Sequence, residues 1–204
     1  MLEARGQVDL AGEAGLEVGA PGDELLQCNL AAEAAVEGIV LETTDSAITL
    51  QTRDGIETVA FAPDTAIRDE TGGAIAGGEI GIGQLVLING QRQQETIRAR
   101  IVDRQPIEAI VSWCAELAPR CAEAEQQIVQ LTERCQQDAS VCEAARLRLQ
   151  DLRRQLGVAE ELRDLRDGCE RGRGPACRDL QSFCDRRETV CRPFAGWLRD
   201  QGLR

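Results

Sequence analysis

Four short stretches decide the fold of the second half of this chain. They are Cys114-Ala-Glu-Leu-Ala-Pro-Arg-Cys121, Cys135-Gln-Gln-Asp-Ala-Ser-Val-Cys142, Cys169-Glu-Arg-Gly-Arg-Gly-Pro-Ala-Cys177 and Cys184-Asp-Arg-Arg-Glu-Thr-Val-Cys191. On a continuous α-helix, residues seven apart are separated by roughly 10 Å along the axis. A disulfide needs Cα atoms within roughly 7 Å, so the chain must turn between the cysteines if they are to pair. Each stretch carries a reason to turn. Pro119 and Pro175 suit the first position of a new helix, Gly172 and Gly174 break the chain, Ser140 and Glu143 form a capping box, and Thr189 can serve as an N-cap. The expected arrangement places each first cysteine near the end of one helix and each second cysteine two or three residues into the next.

The local pairs Cys114/Cys121, Cys135/Cys142, Cys169/Cys177 and Cys184/Cys191 are therefore read as disulfides. Two alternatives accompany this reading. Cysteine is a small hydrophobe, and positions 114, 121, 128, 135, 142, 149 and 156 form a seven-residue ladder that could be one seam of a coiled coil. Thiolate metal binding is the other. Zinc is disfavoured because the chain has no C-x-x-C and no His, which leaves Cu(I) as the metal suited to an all-thiolate site. No metal ligand, cofactor or catalytic residue is assigned. Cys28, the ninth cysteine, has no local mate and is read as an intermolecular link or a free thiol.

The first half reads differently. Val36 to Thr43, Ala47 to Thr52, Ile56 to Ala62, a short piece around Ala66 to Arg68, Gln84 to Asn89 and Thr96 to Asp103 alternate with period two between turn signals, of which Asp54-Gly55 is the strongest. Five or six short strands in so few residues suit a small closed barrel. The expected fold class is α+β: a closed or OB-like β-barrel followed by a disulfide-stapled array of five or six short helices, the third of which can end at Gly157. The expected divisions are an N-terminal arm (1–35), an acidic barrel (36–104) and a cysteine-rich helical domain (105–204).

Charge narrows the function. Residues 1–103 hold 6 Arg against 18 acids, whereas the remainder holds 17 of each. Such an acidic half repels phosphate backbones and anionic lipid heads. OB-like surfaces that bind nucleic acid use aromatic platforms and basic grooves. Residues 36–103 offer one aromatic, Phe61, with 5 Arg against 11 acids, so nucleic acid is not expected. No run is long enough for a transmembrane helix, so direct membrane insertion is not expected either. Asp64, Asp69 and Glu70 do not match a calcium loop and read as a solvated turn. Disulfides point outside the reducing cytoplasm, to periplasm, cell surface or secretion. Residues 1–27 lack the basic and apolar regions of a signal peptide, so the sequence is expected to be a processed or truncated form.

The runs Val-Glu-Gly-Ile-Val, Ile-Thr-Leu-Gln-Thr-Arg-Asp-Gly, Thr-Ala-Ile-Arg, Ile80-Gly-Ile-Gly-Gln-Leu-Val-Leu-Ile-Asn-Gly90 and Thr-Ile-Arg-Ala-Arg-Ile resemble a bacterial OB-like barrel domain family of unknown function. That resemblance covers about residues 36–103, and implies the fold and an exported setting without supplying catalytic residues. Residues 106–204 are more loosely similar to disulfide-linked helical-repeat proteins of bacterial envelopes. The functional expectation is a non-enzymatic structural or accessory interaction subunit of an envelope or surface assembly. Its partners would be other protein subunits, with homo-oligomerisation as a further option. A Cu(I)-binding thiolate protein is the alternative.

Overall fold

The computed structural model describes residues 32–135 and 139–203, which belong to one compact unit. The fold is α+β, a closed five-stranded barrel followed by disulfide-stapled helices. The strands are β1 (Ala32–Thr43), β2 (Ala47–Thr52), β3 (Ile56–Arg68), β4 (Leu85–Gln93) and β5 (Thr96–Arg104). They close in the order β1-β2-β3-β5-β4, with β3 and β5 parallel and all other neighbours antiparallel. This is the small closed barrel the strand pattern predicts, without an exposed sheet edge. β1 starts at Ala32, earlier than the expected Val36. Its first residues alternate around small and acidic side chains, Ala-Glu-Ala-Ala, and pairing with β4 carries the strand that far.

The two pieces expected on either side of Pro63 form one strand whose register breaks between Phe61 and Ala66. Thr65 bridges the break: its hydroxyl accepts from the Ala62 amide at 2.7 Å and donates to the Ala99 carbonyl at 2.9 Å. Asp54-Gly55 makes the expected tight turn, with Gly55 at φ +142° and its carbonyl accepting from both the amide (2.7 Å) and the hydroxyl (2.8 Å) of Thr52. Two glycines permit close strand approach. A Cβ at Gly38 would lie 2.6 Å from the Gln51 carbonyl oxygen, and one at Gly90 would collide with the Arg98 carbonyl.

Alternation sorts the barrel side chains into two cores. Val40, Ile48, Leu50, Val59, Val86, Ile88, Ile97 and Val102 fill the interior, and Ile80, from the β3–β4 connection, joins them. Ile39, Leu41 and Leu85, pointing the other way, belong to the core of the helices. The run Gly38-Ile39-Val40-Leu41 is consequently buried on both faces. The barrel wall is the floor of the helical half.

The helices are α1 (Ile107–Glu116), α2 (Ala118–Arg134), α3 (Ala139–Glu170), α4 (Gly174–Arg186), α5 (Glu188–Cys191) and α6 (Ala195–Asp200), with a 3-10 turn at Arg192–Phe194. They are not uniformly short: α3 is one helix of 32 residues. Gly157 does not end it. Glycine costs about 1 kcal/mol in a helix interior, and the apolar series Leu149, Leu152, Ala159 and Leu162, buried beyond it on both sides, outweighs that cost. Pro119 and Pro175 each occupy the second helical position of α2 and α4, one place later than expected, where the missing amide is still harmless. Thr189 is not an N-cap. It lies within α5, whose N-cap is Arg187 and has no side-chain capping bond.

Candidate functional site: the stapled helical face and the barrel seam

The structure joins all four predicted pairs. Cα–Cα separations are 5.6 Å for Cys114–Cys121, 5.8 Å for Cys135–Cys142, 4.6 Å for Cys169–Cys177 and 5.5 Å for Cys184–Cys191. Each second cysteine is the fourth residue of its helix as described, slightly deeper than expected. Each first cysteine sits within the last turn of the preceding helix or just beyond it. Each staple thus fixes a helix corner. At the α3–α4 corner the approach is so close that a Cβ on Gly168 would lie 2.8 Å from the Ala176 Cβ. Six of the eight sulfurs belong to buried residues, whereas Cys135 and Cys177 are half-buried. Cys28 lies outside the described residues.

Polar contacts tie the stapled array to itself and to the barrel. The buried Ser112 hydroxyl donates to the Val190 carbonyl at 2.7 Å, joining α1 to α5. Arg153 pairs with Glu125 at 2.7 Å, joining α3 to α2. Arg120 Nε donates to the Arg53 carbonyl at 2.9 Å, and Arg53 in turn reaches Glu116 at 3.7 Å. Two arginines also lie over aromatic rings, Arg187 on Phe183 and Arg166 on Phe194.

One barrel mouth is closed by a forked ion pair. Both guanidinium nitrogens of Arg92 on β4 meet both oxygens of Glu57 on β3, at 3.0 and 2.9 Å. The hydrogen bonds that Arg92 donates to Glu57, and then the Glu57 charge, hold the Arg92 pKa above its ordinary value. This contact was not foreseen. Its signal was nonetheless present, because Glu57 shares strand parity with Val59 and Phe61 and therefore occupies an inward position.

Beside this mouth, Glu37 shares a crevice with Trp113, Arg53 and Thr52. Lost hydration and then the nearby Glu116 carboxylate raise its pKa, while Arg53 opposes them. Folding therefore favours the protonated form. Its contribution to stability is present below the ordinary carboxylate range and lost as pH rises through the folded value. Glu37→Gln is expected to raise the melting temperature at neutral pH and to leave it unchanged in acid. The gain stays within about 1 kcal/mol because solvent screens this exposed side chain. Thermal melts of both proteins across pH check it; an equal gain at all pH values would assign the effect to something other than charge.

The acidic turn after β3 is occupied by its own chain. Asp69 Oδ1 accepts from the Thr71 hydroxyl (2.7 Å), the Gly73 amide (2.8 Å) and the Thr71 amide (2.9 Å), and these bonds lower its pKa. Glu70 pairs with Arg104 at 2.6 Å. Among the described residues, no group of three or more His, Cys, Asp or Glu could hold a metal ion, and no helix is long and apolar enough to cross a membrane.

Four disulfides persist where the surroundings are oxidising. Compared with protein-family models, with curated proteins and with solved structures, the chain matches none of them.

Proposed function

We propose that this chain is a non-enzymatic, extracytoplasmic interaction subunit, a rigid body that presents protein-docking surfaces within a bacterial envelope or surface assembly. The observation that carries this reading is the covalent fixing of four of the five helix corners on a barrel whose wall forms part of the same core. A body so constrained loses little conformational entropy when it binds, which favours preorganised docking.

Two further observations support it against nucleic-acid binding. OB-folds read oligonucleotides across strands 2 and 3. Here α2 packs on β1 and β2, and Gln51 and Thr52 on β2 are only 2% and 3% exposed. The acidic balance of the barrel opposes phosphate as well. The pairing also engages the thiols that a Cu(I) site would require, which weighs against the copper reading.

Intact mass before and after reduction and alkylation, on protein from its native source, tests the setting. Eight oxidised cysteines in an envelope or secreted fraction are expected. Nine thiols alkylated without reduction would overturn the reading and make a Cu(I) titration decisive. Crosslinking in intact cells then tests the role, the expected products joining this chain to defined protein subunits through its helical half.

A further inference from the structure

Where α4, α5 and α6 converge lies a groove of about 600 Å³. The Cys184–Cys191 disulfide and Leu198 line its apolar part. Four exposed charged residues border it: Asp185 and Glu188 from the end of α4 and the start of α5, and Arg192 and Arg199 from the 3-10 turn and α6. None of the four makes an ion pair among the described residues. Asp185 accepts only from Gln181 at 2.7 Å, and Arg199 Nε donates to the Ala195 carbonyl at 3.2 Å. Glu188 and Arg192 have the i,i+4 spacing that would pair them on an α-helix. The Arg192 amide donates to the Glu188 carbonyl as in an α-helix, but the two side chains make no ion pair with each other.

An apolar floor bordered by equal numbers of unpaired acids and arginines, segregated onto different elements, is complementary to itself. A two-fold axis sets a surface patch against its own inverted copy, so the acidic edge of one chain meets the arginine edge of the other. We infer that the occupant of this groove is the same groove on a second copy of this chain, forming an isologous homodimer through α4, α5 and α6. Covering the apolar floor supplies the attraction, and the charges set the orientation. The patch is small against the roughly 800 Å² per partner of a stable interface, so the dimer is concentration-dependent. The inference rests on this groove alone and stands whether or not the chain serves an envelope assembly.

Sedimentation equilibrium on oxidised protein carrying Cys28→Ser, which excludes a linking disulfide, tests it. The expected mass rises with concentration from the monomer value of 22.2 kDa towards twice that. Ala195→Glu, an exposed substitution within the groove, is expected to hold the protein monomeric. Asp185→Arg with Glu188→Arg makes the rim wholly positive, and Arg192→Glu with Arg199→Glu makes it wholly negative. Each charge variant is expected to be monomeric alone and to dimerise when the two are mixed. A wild type that stays monomeric at every concentration, variants that dimerise like the wild type, or charge variants that fail to pair on mixing would each overturn the inference.

Discussion

Replacing Cys114 and Cys121 together by alanine is expected to lower folding stability by about 2–5 kcal/mol, at the upper end of that range. Closing a loop of this size contributes about 2.5 kcal/mol through the lost freedom of the unfolded chain. The rest comes from position. The two cysteines are 2% and 1% exposed, and they sit in the core shared by α1, α2, α3 and the outer wall of the barrel. Alanine leaves space there that neighbours fixed to a closed barrel cannot readily fill. The same replacement at Cys135 and Cys142 is expected to cost little more than the loop term, about 2.5 kcal/mol, because Cys135 is half-buried and the pair lies at the tip of the α2–α3 hairpin. Denaturant titration followed by tryptophan fluorescence measures both. Equal losses at the two sites would mean that burial adds nothing to loop closure.

That comparison also marks what the sequence could reveal. A disulfide between cysteines seven or eight apart is a local event, decided by whether the intervening residues turn, and Pro119, Gly172 and Pro175 state that directly. Strand parity is local too, and it located every barrel strand. What the sequence concealed depends on distant partners. The true length of α3 is one case, since Gly157 marks a weak point that only packing against other helices overrides. The early start of β1 is another, because Ala32 to Ala35 become a strand by pairing with β4, more than fifty residues away. The Glu57–Arg92 closure and the rim of unpaired charges near Cys184 are the same kind of fact. Each side chain reads as an ordinary surface charge until the fold brings it to a mouth or a groove. The change of periodicity near residues 104 and 105 was legible, but periodicity does not reveal whether two halves share a core.

The shared core makes the second prediction. Ile39→Ala is expected to cost about 2–4 kcal/mol. Ile39 is fully buried and lies on a barrel strand, yet its side chain belongs to the helical core, while the adjacent Val40 faces the barrel interior. Losing it should therefore loosen both halves together. Hydrogen exchange distinguishes the possibilities, with the Ile88 amide reporting on the barrel and the Leu152 amide on α3, both residues being essentially inaccessible. If global unfolding governs both amides, their protection falls by the same factor, about 30- to 1000-fold for that energy. Val40→Ala, from inside the barrel, should then reduce protection at Leu152 as much as at Ile88. A loss confined to the barrel amide after Val40→Ala would show that the helices fold on their own. The barrel wall would then be only a platform for them, and the staples would be holding a separate domain together.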